Sequence, residues 1–450
     1  PIHFHRGVPC MRRRGRRPPE GEFSADILDL AEDGRGVARV DGKVVFIADS
    51  LPGERVRFRY LATGKAADEG QTVSVESPSP DRVAPGCDHF GLCGGCALQH
   101  LSPEAQIRFK QKQMLDALAR IGKVTPVQVA PPVTGPVWGY RRRARIGVKK
   151  VPKKGGVLVG FRERRSHFLA QLQSCPVVDE RVGQRLRVLA DAFARTSIAD
   201  RIPQIEMAVG EHVCLAVRVL APPTEDDLDI LQELAATTGL EIRLQPGGVD
   251  SITPLTPPAK VLDYSPDGSD LRLQFKPADF IQVNGFISQR VVNQALDWLA
   301  PEPGERVLEL FCGLGNFSLP LARRGAELVA VEGDTGLVQR ARENAERAGL
   351  DIRFEKADLF TTGGDVDWLS GEFDRVLLDP PRSGAEAMMP LIAAKRPRRI
   401  VYVSCHPGTL ARDAGTLVHQ YGYRLLQAGV MDMFPHTAHI ESMALFEPAT

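Results

Sequence analysis

The strongest constraint on the fold is an alternation that begins near Leu271 and runs to the end of the chain. Short apolar runs ("RVLEL", "AELVAVE", "IRFEK", "FDRVLL", "RRIVYVS") alternate with helical segments ("FISQRVVNQALDWLA", "GLVQRARENAERAGL", "HPGTLARD"). Strands alternating with helices call for crossover connections, and therefore for a parallel, doubly wound sheet with helices on both faces. Ligands of such sheets sit beyond the C-terminal ends of the strands. Chemistry is therefore expected from residues immediately after each apolar run.

Those residues form a coherent set. "ELFCGLGNF" follows one strand and opens a helix, with Gly313 and Gly315 allowing close backbone approach to a ligand. Glu332 ends the next strand, where a carboxylate can accept from ribose hydroxyls, and Asp358 follows a third. The loop lacks the third glycine of the dinucleotide fingerprint; its E-x-x-x-G-x-G form favours a methyl donor over the runner-up, NAD. "LLDPPRSG" and "VYVSCHPGTLARD" end two consecutive strands and bring Asp379, Arg382 and Cys405 to the same edge. Cys405 lies where a strand feeds a helix, a setting expected to lower a thiol pKa, and Cys312 reads as structural. A thiolate beside a methyl donor suits carbon-5 methylation of uracil. Addition to carbon 6 activates carbon 5, and a base such as Glu441, near His439, then removes the carbon-5 proton.

The rest of the chain reads differently. From Phe23 to Ser79, period-two alternation with regular turns predicts a small all-β barrel of OB-like type. "SPSPDRVAPG" marks a boundary, and "LSPEAQIRFKQKQMLDALARIG" predicts a helix with its start at Ser102-Pro103-Glu104. About 131–270 reads as mixed α/β, including a helix over "ERVGQRLRVLADAFART". The first 22 residues are basic and Pro/Gly-rich, expected to be a disordered tail in which Met11 is a candidate start. Eleven Lys/Arg against Glu163 alone between Arg141 and Arg165 predict a polyanion-facing patch, with a solvated hairpin face as the plainer alternative. A net charge of +1 says little by itself.

"CDHFGLCGGCALQH" holds Cys87, Cys93 and Cys96 at C-x5-C-x2-C. Eight cysteines without an export signal argue for the reducing cytosol, hence a cytoplasmic protein, and for metal-binding or catalytic thiols over disulfides. Zinc sites commonly show two short cysteine pairs; this segment has one. No run is long and apolar enough for a membrane span.

Together "CDHFGLCGGCALQH", "FIQVN", "LELFCGLGNFSLPLA", "DPPRSGA", "VYVSCHPGTLARD" and "HIESMALFE" resemble, in order, the motifs of the RNA uracil-5-methyltransferases. The closest resemblance is to bacterial 23S ribosomal RNA enzymes with an N-terminal TRAM domain and an iron–sulfur cluster. The resemblance implies a TRAM barrel over 23–79, a central mixed α/β iron–sulfur domain over 80–270, and a Rossmann-like methyltransferase domain over 271–450. It suggests that about 101–130 pack on the last. It implies Cys405 as nucleophile and Glu441 as base. Gln282, Phe311, Asn316, Glu332, Asp358 and Asp379 are implied as S-adenosylmethionine contacts, with Asp379 also a candidate contact to the target base. Cys87, Cys93, Cys96 and Cys175 are implied as ligands of a [4Fe-4S] cluster. The expected partner is 23S rRNA, with no obligate protein partner and a monomer as the default. A non-catalytic iron–sulfur or zinc RNA-binding protein, a tRNA uracil-5-methyltransferase and a cytosine methyltransferase are the alternatives. Cytosine enzymes usually carry a Pro-Cys dipeptide, whereas Ser404 precedes Cys405 here; amino-group enzymes place an aromatic where Arg382 stands.

Overall fold

The structure, a computed structural model, describes residues 17–361 and 366–449. The basic tail expected over 1–22, with Met11, lies for the most part outside these residues. Strands β1 (Phe23–Leu30), β2 (Gly36–Val40), β3 (Lys43–Ala48), β4 (Arg55–Thr63) and β5 (Ala67–Ser77) close into a barrel in the order β1-β2-β3-β5-β4. Alternation puts every second side chain inside. The interior is small: Ala25, Ile27, Ala38, Val45, Ile47, Val56 and Phe58 fill it.

No helix or strand forms between the barrel and helix α1 (Pro103–Ala117); this stretch carries three of the clustered cysteines. The Ser102 hydroxyl caps α1 by accepting from Ala105 N–H. Ile107, Met114 and Leu118 join the core beneath one face of the C-terminal sheet, and β6 (Gln128–Val129) pairs with that sheet's edge. The segment after the cysteines is thus part of the C-terminal body.

A second sheet contains β7 (Arg143–Val151), β8 (Gly156–Gly160), β9 (Gln204–Val209), β10 (Val213–Arg218), β11 (Glu241–Gln245) and β12 (Thr253–Pro254), in the order β12-β11-β10-β9-β7-β8. The single helix expected over "ERVGQRLRVLADAFART" is two, α2 (Glu180–Gly183) and α3 (Leu186–Arg195), interrupted at Gln184 and Arg185. Helix α4 (Glu225–Thr238) opens on a capping box formed by Thr224 and Asp227.

The hairpin of β13 (Asp263–Tyr264) and β14 (Leu273–Gln274) leads into the catalytic body. Leu262, Tyr264, Leu271 and Leu273 already belong to its core. Next come α5 (Gly285–Leu299), β15 (Arg306–Leu310), α6 (Ser318–Arg323), β16 (Glu327–Glu332), α7 (Thr335–Arg347), β17 (Arg353–Lys356), β18 (Arg375–Leu378), α8 (Met389–Ala394), β19 (Arg399–Ser404), α9 (Pro407–Tyr421), β20 (Tyr423–Met431) and β21 (Glu441–Pro448). The sheet order is β17-β16-β15-β18-β19-β21-β20-β6. Strands β15 to β19 are parallel, as the alternation predicts, but β21 runs antiparallel to both neighbours. The reason is the short connection from β20: a turn of nine residues, 432–440, cannot hold a crossover helix. This reversal brings Glu441, the first residue of β21, to the edge where the parallel strands end.

Candidate active site and four-cysteine cavity

The loop after β15 is shaped by left-handed backbone. Phe311, Gly313 and Gly315 have φ of 65°, 57° and 92°. A Cβ on Gly315 would stand 2.7 Å from Leu319 Cδ1. Gly313 N–H donates to Glu332 Oε2 (3.1 Å), while Oε1 of the same carboxylate accepts from the N–H groups of Gly333 and Asp334. Glu332 therefore ties the glycine loop to the end of β16. Asn316 Oδ1 accepts from Tyr264 Oη (3.2 Å). Asp358 is exposed and closes its own turn, accepting from Phe360 N–H and the Thr361 hydroxyl, bonds that hold its pKa low. That turn sets Phe360 with its ring centroid 5.8 Å from that of Phe311. Strand-end acids, a glycine cradle and an aromatic wall form a pocket edge suited to an adenosine group. Gln282 is half-buried on the loop before α5, its carbonyl accepting from Arg142 Nε (2.7 Å).

Asp379 and Cys405 follow β18 and β19, and Glu441 opens β21. The Thr409 hydroxyl donates to the Arg382 carbonyl (3.2 Å), joining the two loops. Arg382 Nη2 reaches His439 Nδ1 at 2.9 Å, so that imidazole nitrogen accepts. Burial pushes Glu441 up to about 8, with the Asp379 charge adding and Arg382 and Lys110 opposing. Burial, then Glu332, lifts Asp379 to about 7. Burial, then Glu441 and Asp379, lifts the Cys405 thiol to about 11. The expectation of a thiol pKa lowered by the helix N-terminus is therefore corrected. Cys405 precedes His406, the N-cap of α9, and burial plus two carboxylates outweigh the helix dipole.

Two ionisable groups of this region, the acid that opens the E-x-x-x-G-x-G loop and a lysine of α1, were not among the expected site residues. Glu309, wholly buried on β15, is pushed up to about 8 and accepts from Ser318 Oγ at 2.5 Å. Lys110 is fully buried on α1, its Nζ 2.7 Å from Asp432 Oδ1 and 2.9 Å from the Phe434 carbonyl. It anchors the turn that delivers Glu441. Gln106, Lys110 and Met114, four residues apart, share one buried stripe of α1; a lysine on such a stripe was the available signal.

Cys87, Cys93, Cys96 and Cys175 line one cavity of about 170 Å³. Burial raises the thiols of Cys93 and Cys175 and lifts Cys96 to about 12, the other three cysteines adding to the last. None of the seven described cysteines is in a disulfide. Among the described residues no three Cys, His, Asp or Glu side chains group so as to hold a metal ion. The cysteine segment touches the catalytic body directly: Ala97 and Leu98 both donate to the His436 carbonyl (2.9 Å each), in the turn before Glu441.

The basic stretch is only partly free. Arg143 and Arg145 pair with Glu206, Lys154 with Glu163, Arg164 with Asp49 and Arg165 with Glu69. Arg142 packs over the Tyr264 ring. Lys149, Lys150, Lys153 and Arg162 face solvent. Apart from Glu163, the acids that pair with this stretch (Asp49, Glu69 and Glu206) come from distant sequence, so a local charge count overstates the patch.

A family model described as tRNA (Uracil-5-)-methyltransferase matches residues 264–448, and the TRAM domain model matches 22–59. The chain is 54% identical over 440 residues to the 23S rRNA (uracil(1939)-C(5))-methyltransferase RlmD of Alkalilimnicola ehrlichii, covering 97% of this chain and 99% of that one. It is 50% identical over 442 residues to the enzyme of the same description from Xanthomonas campestris pv. campestris, covering 97% and 100%. Its fold is like that of Pyrococcus abyssi tRNA (uracil-54, C5)-methyltransferase solved with S-adenosyl-L-homocysteine, with a TM-score of 0.72, 24% identity, and 94% and 99% of the two chains covered. Fold and site thus define an S-adenosylmethionine-dependent RNA (uracil-5-)-methyltransferase with an N-terminal TRAM barrel. Within that class, the chain belongs to the RlmD family of 23S rRNA (uracil-C(5))-methyltransferases. No helix among the described residues is long and apolar enough to cross a membrane.

Proposed function

We propose that this chain methylates carbon 5 of the 23S rRNA uridine for which its RlmD relatives are named, in the cytoplasm, as a monomer. The proposed division is a TRAM barrel over 23–79, an iron–sulfur domain over 80–270 and the methyltransferase domain over 271–450, with about 101–130 and the strand Asp263–Tyr264 packed into the methyltransferase body. The observation that carries the reading is the meeting of Cys405, Asp379 and Glu441 in one electrostatic neighbourhood beside the glycine loop. Gln282, Phe311, Asn316, Glu332, Asp358 and Asp379 hold S-adenosylmethionine, which supplies an electrophilic methyl group on its sulfonium. The cleft fits that group: two left-handed glycines leave its loop open, and an exposed Phe360 faces it.

The target base must leave its stack to reach the cleft. Cys405 Sγ forms a bond to carbon 6 as its proton passes to Asp379, which leaves Glu441 unprotonated for its own step, and carbon 5 becomes nucleophilic. Once carbon 5 carries the methyl, Glu441 takes the carbon-5 proton, the carbon–sulfur bond breaks and the thiol side chain is freed. A carboxylate pushed up to about 8 is a strong base for its kind. Cys87, Cys93, Cys96 and Cys175 are the proposed ligands of a [4Fe-4S] cluster, which takes one thiolate per iron. Their shared cavity is the supporting observation. The test is mass-spectrometric mapping of 5-methyluridine in RNA from a strain lacking the protein. Loss of one 23S rRNA site supports the reading; loss from tRNA alone overturns the substrate.

A further inference from the structure

A second cleft, of about 430 Å³, lies where the central sheet meets the start of α5. Neither Cys405, Asp379, Glu441 nor the glycine loop lines it. Three buried polar atoms of its walls have no hydrogen-bond partner: Arg142 Nη2, Asn284 Nδ2 and Asp263 Oδ1. Asn284 is 1% exposed and is already fixed, its Oδ1 capping α5 through Ile287 N–H. Arg142 is fixed as well, its Nε held by the Gln282 carbonyl and its guanidinium 4.2 Å above the Tyr264 ring. Buried polar atoms are nearly always satisfied in native proteins. Two donors and one acceptor without partners, on three residues that line the cleft, describe the complement of a ligand with acceptors and a donor on one edge.

Two aromatic side chains complete the wall. Trp138 is 37% exposed and Phe286 42% exposed. The cationic side chains at the rim are already used: Arg181 pairs with Asp179 and Arg272 with Glu211. Together with the Asp263 carboxylate, whose Oδ1 has no partner, this disfavours a phosphate. A nucleobase meets every requirement, because carbonyl and imino groups alternate on its edge and its face stacks on aromatics. We propose that this cleft holds an unstacked uracil of the RNA substrate, whose C=O, N–H and C=O groups lie side by side on one edge, separate from the base that is methylated. This rests on the RNA-methyltransferase reading above. Arg142 touches Gln282, and Tyr264 touches Asn316, so an occupied cleft abuts two residues proposed to hold the methyl donor.

The test uses the full chain with its cluster and a 23S rRNA fragment that the wild type methylates. Asp263→Asn replaces the acceptor pair by an amide, and Phe286→Ala removes a stacking face. Each should weaken RNA binding roughly 10-fold or more, leave S-adenosylmethionine affinity and thermal midpoint unchanged, and leave the rate at saturating RNA near wild type. Replacing single non-target U residues by abasic sites should find one position whose loss matches Asp263→Asn and is not additive with it. Variants that fold, bind the methyl donor and bind RNA like wild type would overturn the subsite, showing that water satisfies these atoms. A defect that instead changes the salt slope would mark a phosphate site and equally overturn it. Failure of the wild type to methylate any uridine RNA would strike the underlying reading instead.

Discussion

The four-cysteine cavity and the catalytic cleft both crowd ionisable groups into surroundings that resist charge, yet they treat it differently. In the cavity, thiols face thiols: Cys96 is lifted to about 12 and its cysteine neighbours only add to the lift. Thiols raised in this way, as those of Cys93, Cys96 and Cys175 are, lose their protons together only if a strongly cationic partner takes their place. In the cleft, one thiol faces carboxylates, with Lys110 and Arg382 alongside. That setting keeps Cys405 neutral at rest and gives Glu441 and Asp379 pKa values of about 8 and about 7, near neutrality, where groups can both take and release protons. One region gathers thiols that oppose one another's ionisation; the other sets a thiol among carboxyls able to exchange protons repeatedly.

The sharpest break of this comparison is Cys405→Ala. Methyl transfer should fall by about 10⁴-fold or more, while calorimetric affinity for S-adenosylmethionine stays within about twofold. Turnover at an ordinary rate would remove Cys405 from the chemistry. Glu441→Gln comes next, with overall turnover down about 10²- to 10³-fold. Its signature is a covalent RNA–protein adduct on denaturing gels, since addition and methylation proceed while elimination stalls; a clean gel would speak against the base. Cys96→Ala belongs to the other region. Iron content and broad visible absorption should be lost from anaerobic preparations, with methyl-donor binding retained. Stoichiometric zinc in the wild type would replace the cluster by another metal.

Lys110→Met probes the link between the regions, because α1 follows the cysteine segment and holds the turn before Glu441. Removing one partner of a buried pair leaves Asp432 uncompensated, at about 3–5 kcal/mol. Urea unfolding measures this, and pairing the change with Asp432→Asn should recover part of the loss.

What was legible in the sequence follows from where each signal sits. Strand-end residues such as Glu332, Asp379 and Cys405 could be placed because a parallel sheet puts all its strand ends on one edge. Glu441 could not be placed that way: its position depends on β21 running against the others, which is set by a nine-residue turn. The cysteine set combined a local triplet with Cys175, which only the family resemblance supplied. Charge was read worst. Arg142, Arg143 and Arg164 counted as a surface patch, but their partners Tyr264, Glu206 and Asp49 are remote in sequence. The thiol shift of Cys405 failed likewise, because local helix geometry was visible and the burial that chiefly raises the thiol was not.

The smallest expected effect separates the two regions by pH. Glu309 and Glu441 are raised to about 8 and Asp379 to about 7, against 4.5, 4.5 and 3.8 when unfolded. Between those limits the native state holds protons that the unfolded chain has released, so stability falls as pH rises. His100 and His436, both lowered to about 4 by burial, act oppositely, losing stability as pH falls below 6.5. From pH 6.5 to 8 the carboxyls of the cleft therefore dominate, while Cys96 and Cys405, at about 12 and 11, do not yet titrate. Urea-derived stability should decline across this window by up to about 1.4 kcal/mol per pH unit for each carboxyl still protonated. Glu309→Gln, which keeps a neutral side chain at every pH, should flatten the slope without touching the proposed nucleophile or base. A slope that is unchanged in Glu309→Gln but lost in Cys96→Ala would place the titrating groups in the cysteine cavity and reverse the contrast between the two regions.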